Sequence, residues 1–344
     1  MKVGIVGFAG SGKSTVFLWL TGVKPDPAAN QRGQIGMAKL PDERLAWLSA
    51  QFKPKKTTPA VIEFLDTPGL LATERRDNPR RLSILREAGG LLIVLNGYAG
   101  GDLAAELRQF REELLFADLE IITNRVNKLQ DTLKKPRPAK EKDLNQAELD
   151  LLQRIVVAFE QGKPASSVGL KPDEEMTIRS FQLLTLKPEF ILVNAGDEMS
   201  DKPLPTELTA NAPAAASAVK LELELADLGE EDRAAFMADL GLKQFTRDTR
   251  LQEIHSAMGL MVFFTVGEDE CRAWPLNKGD DAVQGAAQIH TDIARGFVRA
   301  EIVSYDDFRR VGSMKEAKTQ GVYRLEGKTY IVKDGDIMHI LAST

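Results

Sequence analysis

Gly7-Phe8-Ala9-Gly10-Ser11-Gly12-Lys13-Ser14, near the start of the chain, carries more structural information than any other stretch of the sequence. Its glycines, lysine and hydroxyl have the spacing of a Walker A loop. Residues 3–6 before it form a short apolar run, and residues 14–20 after it have helical periodicity, so the order reads strand, loop, helix. Glycines let backbone N–H groups turn toward phosphate oxygens at a helix N-terminus, the lysine reaches the β and γ phosphates, and the hydroxyl ligates Mg²⁺. Gly10, Ser11, Gly12, Lys13, Ser14 and Thr15 are therefore the candidate nucleotide contacts.

Further apolar runs at residues 61–65, 91–95 and 190–193 read as buried strands separated by helical patterns. That alternation predicts an α/β fold with a doubly wound, mainly parallel sheet. Asp66-Thr67-Pro68-Gly69 closes the second run, which brings a carboxylate to the carboxyl end of a strand beside the phosphate loop. Asp66 is the expected Mg²⁺ partner of Ser14, and Lys13, Asp66 and Gly69 are the expected catalytic set. Asn194-Ala195-Gly196-Asp197 follows the fourth run. A carboxylate there accepts from the N1 and N2 donors of guanine, whereas adenine offers only its N6 donor, so Asn194 and Asp197 are candidate base contacts and both ATP and GTP stay open.

Between the third and fourth strands Leu115, Leu119, Ile122, Val126, Leu129 and Leu133 follow the alternating four-three spacing of a coiled-coil seam. A basic turn with Lys134, Lys135 and Arg137 and two prolines ends it, and a second helical pattern runs over residues 144–159. The pair predicts an inserted helical hairpin. Residues 203–218, rich in alanine and proline, read as a linker. Beyond residue 260 the pattern turns to strands at 261–266, 298–303, 322–325 and 330–332 with a helix over 281–295, a small α+β unit. The expected divisions are a G domain at 1–106 and 187–258, an inserted helical domain at 107–186 and a C-terminal domain at 259–344.

With 344 residues the chain suits two or three domains, and its net charge of −5 excludes a global basic field for nucleic acid, so any RNA contact is local, at the hairpin tip. The single cysteine, Cys271, excludes intramolecular disulfides and cysteine-built metal centres, and His255, His290 and His339 lack the clustering of ligands. No export signal or membrane span is read in the apolar runs, which with the single cysteine leads to the expectation of a cytoplasmic protein; a monomer is expected as well.

These features together resemble the Obg-like ATPase family, the YchF branch of the translation-factor-related P-loop GTPases. The resemblance covers nearly the whole chain. It rests on Leu40-Pro41-Asp42-Glu43-Arg44-Leu45, Lys53-Pro54-Lys55-Lys56-Thr57 and Leu183-Leu184-Thr185-Leu186-Lys187-Pro188, and above all on C-terminal stretches such as Arg272-Ala273-Trp274, Gly296-Phe297-Val298-Arg299-Ala300-Glu301 and Tyr330-Ile331-Val332-Lys333-Asp334-Gly335-Asp336. It implies that the C-terminal region is a TGS domain of ubiquitin-like β-grasp fold. It further implies an ATP-preferring hydrolase that contacts ribosomes, with a hydrophobic residue, here Leu70, where Ras-like GTPases carry a water-orienting glutamine. The chain departs from the family pattern at Gly10 (usually Asn), at Asn30 (usually Thr), at Asp197 (usually Glu), and in lacking a histidine between Leu95 and Leu107, as a divergent paralogue would. The alternative to a hydrolytic switch is a nucleotide-sensing ribosome- or RNA-binding module with negligible turnover.

Overall fold

In a computed structural model of the protein, residues 1–30, 32–71, 78–196, 203–240, 242 and 244–343 are described. The apolar runs become strands because burial on both faces requires continuous hydrophobic sequence. Those expected strands are β1 (Lys2–Val6), β4 (Val61–Asp66), β5 (Gly90–Asn96) and β6 (Glu189–Asn194), joined by β2 (Gln34–Lys39) and β7 (Ala214–Ser217) in a sheet of order β2-β4-β1-β5-β6-β7. The pairs β1/β4, β1/β5, β5/β6 and β6/β7 are parallel. Val3, Ile5, Leu92, Ile93, Ile191 and Val193 are fully or almost fully excluded from solvent, as helices on both faces demand.

β7 corrects the linker reading of residues 203–218. Its alanines pair with β6 from Ile191↔Ala214 to Asn194↔Ser217, but alanine carries no β-branched signal, so local propensity hides the strand.

The coiled-coil spacing becomes two long helices, Leu103–Leu133 and Ala139–Glu160, joined by residues 134–138. Ile122, Leu129, Leu152 and Ile155 are buried between them, with Leu119, Val126 and Leu133 packed alongside, and Arg125 forms a two-pronged ion pair with Glu148. Asp118, fully buried, holds Arg86 and accepts from the backbone N–H groups of Leu184 and Thr185.

By Cα proximity the chain divides into one unit of Met1–Gly36 and Glu63–Phe245 and a second of Met37–Ile62 and Thr246–Thr344. The expected boundaries gave residues 37–62 to the G domain and started the C-terminal domain at 259. The helix Glu43–Phe52 explains the difference, since Trp47 meets Tyr305 and Phe308 edge-on and Phe52 stacks on Phe308.

The second unit holds a sheet of order β11-β10-β12-β8-β9-β3, with β3 (Lys56–Thr58), β8 (Leu260–Thr265), β9 (Glu270–Asn277), β10 (Phe297–Ser304), β11 (Arg324–Glu326) and β12 (Asp336–Ala342). β12 runs parallel to β8, whereas β8/β9, β10/β11 and β10/β12 are antiparallel. Its core gathers Phe263, Trp274, Leu276, Ala286, Ala300 and Ile302. Two expectations change here. Residues 330–332 carry only a bridge from Ile331 to Asp281, and the helix over 281–295 divides at His290, whose extended backbone ends Ala282–Ile289 and whose Nδ1 caps Thr291–Arg295.

Candidate functional site

The phosphate loop lies between β1 and the helix Lys13–Thr21, where Gly7, Gly10 and Gly12 all take positive φ. Glycine is required twice over at two of these. A Cβ on Gly7 would meet the Val94 carbonyl oxygen at 2.4 Å, and one on Gly12 would meet Asn194 Nδ2 at 2.1 Å. Lys13 is buried, and its Nζ donates to the Phe8 carbonyl at 2.8 Å. Burial depresses its pKa to about 8, against the opposing pull of Asp66 and Glu106 and with a further push from Arg81. Ser11 is buried within the loop, and Ser14 and Thr15 are partly buried on the first turn of the helix.

Parallel pairing with β1 brings the end of β4 to this loop, with Ile5 opposite Asp66. Asp66 is fully buried and accepts from the Ser14 hydroxyl at 3.1 Å. A hydroxyl and a carboxylate side by side form a hard oxygen donor set that suits Mg²⁺. Gly69 abuts the loop: a Cβ there would come within 2.6 Å of Lys13 Nζ and 2.8 Å of Ala9 N. Leu70 is bound to the loop through its backbone, accepting from Ala9 N–H at 2.8 Å and donating to Gly7 O at 3.1 Å. Its side chain is buried in the core with Phe8 and Leu82, so it presents no polar group to a phosphate. Just beyond, Asn78 holds both backbone groups of Leu71 and donates to Glu113 of the long helix at 2.9 Å.

The expected residues Gly10, Ser11, Gly12, Lys13, Ser14, Asp66, Gly69 and Asn194 thus gather at the carboxyl ends of β1, β4 and β6. Asn194 is buried with its Nδ2 donating to the Ser11 carbonyl at 3.1 Å, so it clamps the loop. Asp197 lies outside the described residues, as do residue 31 and residues 72–77 of the two segments, around 30–36 and 69–78, that the sequence leads one to expect as nucleotide-responsive switches.

Sequence reasoning missed four further neighbours. Asn96 and the half-exposed Tyr98 both donate to the Gly10 carbonyl. Glu106 accepts Asn96 N–H at 3.1 Å; burial raises its pKa despite that bond and the nearby Lys13. Arg81 of the helix Asn78–Leu85 donates to the Gly69 carbonyl. The end of β5 was a readable signal for Asn96 and Tyr98, because ligands in such sheets lie at strand carboxyl ends. Arg81 had no local signal.

A phosphate loop on a parallel sheet, with a hydroxyl–carboxylate pair and a buried lysine, defines a P-loop NTPase. A family model described as a 50S ribosome-binding GTPase matches residues 2–128, and the model YchF-GTPase_C, described as a protein of unknown function, matches residues 260–343. The chain is 31% identical to the ribosome-binding ATPase YchF of Bacillus subtilis and 32% identical to that of Haemophilus influenzae, in each case over 98% of both chains. The solved structure of the Schizosaccharomyces pombe YchF GTPase superposes with a TM-score of 0.83 at 26% identity, covering 99% of this chain and 97% of that one. The chain belongs to the YchF family.

Proposed function

We propose that this chain binds a purine nucleoside triphosphate with Mg²⁺ and hydrolyses it as a ribosome-associated switch. The single observation that carries the proposal is the joint placement of Lys13, the Ser14–Asp66 pair and Gly69 around one phosphate loop. In this reading Ser14 and Asp66 hold the metal, directly or through its water, and Mg²⁺ supplies neutralisation of phosphate charge. Loop N–H groups orient the phosphates, and Lys13 bridges the β and γ groups. The names of the bacterial relatives, ribosome-binding ATPases, support the partner and the reaction.

The C-terminal region is read as a TGS-like β-grasp domain, a reading supported by the parallel β8/β12 pair, the antiparallel strands beside it and the helix Ala282–Ile289. That domain and the coiled-coil hairpin are the proposed ribosome or RNA contacts of a cytoplasmic monomer. Among the described residues no helix is long and apolar enough to cross a membrane. ATP is favoured over GTP by relationship, and Asp197 keeps GTP open.

A second reading, nucleotide sensing with negligible turnover, is favoured by the departures from the family pattern at Gly10 and Asn30 and by the lack of a histidine between Leu95 and Leu107. Single-turnover phosphate release with and without ribosomes separates the two. Release accelerated by ribosomes is expected; no chemistry in either condition would leave the sensing module. Calorimetric titration of the parent and Asp197→Asn with ATP and GTP decides the base, a loss confined to GTP identifying a guanine reader.

A further inference from the structure

The buried Leu70 leaves a chemical gap at the reacting phosphate. Phosphoryl transfer spreads negative charge over the γ oxygens, and P-loop NTPases meet it with metal, lysine and often an arginine. A second cation is present here. Arg81 reaches back twelve residues from its helix to donate Nη1–H to the Gly69 carbonyl. Gly69 itself lies against Lys13 Nζ and the Ala9 backbone with no room for a side chain. Guanidinium, Gly69 peptide and ammonium therefore form one continuous contact beside the phosphate loop.

The charges around Arg81 call for an anion. Arg81 is partly buried, and among the described residues it pairs with no carboxylate and makes its single hydrogen bond to Gly69. A guanidinium carries five N–H donors, so most of its capacity is open. Its charge opposes that of Lys13, an unfavourable arrangement at rest that reverses when a multiply charged anion enters.

We propose that Arg81 is this chain's own γ-phosphate arginine, contacting the terminal phosphoryl oxygens of bound triphosphate and stabilising the charge that develops during hydrolysis. In that step the water oxygen bonds to the γ phosphorus. The bond from phosphorus to the β–γ bridging oxygen breaks, and its electron pair stays on the diphosphate. The protons of the water leave on inorganic phosphate and to solvent. Arg81 stays protonated throughout and transfers nothing. The inference rests on the hydrolase reading above, yet its contact with the γ-phosphate is separable from turnover. A role confined to orienting Gly69 would need only one donor, which lysine also supplies, whereas charge-matched recognition of a phosphoryl group uses the planar fork of arginine.

The test compares the parent, Arg81→Ala and Arg81→Lys in three measurements with Mg²⁺ present: affinity for nucleoside diphosphate, affinity for a non-hydrolysable triphosphate, and single-turnover phosphate release. In Arg81→Ala diphosphate affinity should stay within about twofold, which also certifies the fold. The preference for triphosphate should fall about tenfold, and the single-turnover rate on the order of 10³-fold. Arg81→Lys should recover most of the affinity but not the rate. An equal loss for diphosphate and triphosphate, an unchanged preference and rate in Arg81→Ala, or full recovery of the rate by lysine would each overturn the proposal. If the parent itself shows no turnover, the hydrolase reading fails, and the triphosphate preference alone still decides whether Arg81 meets the γ-phosphate.

Discussion

Lys13 is held ready at a cost. Burial is the main cause of its depressed pKa of about 8, so the folded protein binds that proton less tightly than the unfolded chain does. The sign follows: with a folded pKa below the unfolded one, its contribution to stability is fully present at high pH and is lost as pH falls through about 8. Phosphate binding runs the other way, because the bound anion restores the ammonium. Triphosphate affinity should be flat at acid-neutral pH and fall as pH rises above about 8, by up to roughly tenfold per unit, with net proton uptake in that range. Calorimetry in two buffers of different ionisation enthalpy measures the uptake, and observed heats that are the same in both buffers would remove Lys13 as the titrating group. Lys13→Ala should weaken triphosphate binding by about 10- to 150-fold, since a charge-assisted bond contributes roughly 1.5–3 kcal/mol and the phosphate loses its main cation; unchanged affinity for a non-hydrolysable analogue would remove the site assignment. The lysine was legible because loop, lysine and hydroxyl are neighbours in sequence. Arg81 and Glu106 were not, because only the packing of other elements brings them to the loop, whereas Asn96 and Tyr98 stand at the carboxyl end of β5, where the strand order alone points to a ligand.

At the scale of elements, legibility follows how strongly each one's burial is written in its period. The heptad seam of the hairpin was readable because the same face stays buried over many turns. β9 was not, because it contains Pro275, a residue that argues against an interior strand. The structure accommodates it: β3 pairs only with Glu270, Cys271 and Arg272, so at Pro275 β9 has no partner from β3. β12 was hidden behind the turn residues Asp334 and Gly335, which serve the fold: Asp334 binds Val262 N–H and Arg44, and Asp336 accepts from Lys333 N–H and the Tyr330 hydroxyl. The seam supports a direct prediction. Ile122 is fully buried in it and Leu144 is mostly exposed, so Ile122→Ala should cost about 2–5 kcal/mol in hairpin stability while Leu144→Ala stays within about 0.5 kcal/mol. Amide hydrogen exchange across Leu103–Leu133 and Ala139–Glu160 reads the difference, and equal protection in the two variants would show that the seam does not hold the helices together.

For the whole molecule, the informative contrast is between an acidic chain and a local basic tip. The net charge of −5 opposes association with a polyanion, so any electrostatic attraction to RNA has to be concentrated. At 1.5 Å per residue the helix Leu103–Leu133 is roughly 45 Å long, and it carries Lys134, Lys135 and Arg137 at its far end, all exposed. Two of these charges are partly answered by neighbours: Lys134 pairs with Asp131 at 2.9 Å and Arg137 pairs with Glu141. Such exposed pairs, screened by solvent, contribute little and are readily exchanged for phosphate. None of the three residues contributes to the phosphate loop, so their loss should leave nucleotide affinity unchanged. Reversing all three to glutamate should weaken ribosome cosedimentation and flatten its salt dependence, because each phosphate contact removed lowers the logarithmic salt slope by about 0.7–0.9. The measurement is cosedimentation of parent and triple variant at two salt concentrations, with triphosphate affinity titrated in parallel as the control. A variant that sediments as well as the parent, with the same salt dependence, would assign the ribosome contact to another surface; one that loses nucleotide affinity as well would show that the tip acts through the fold and not through charge.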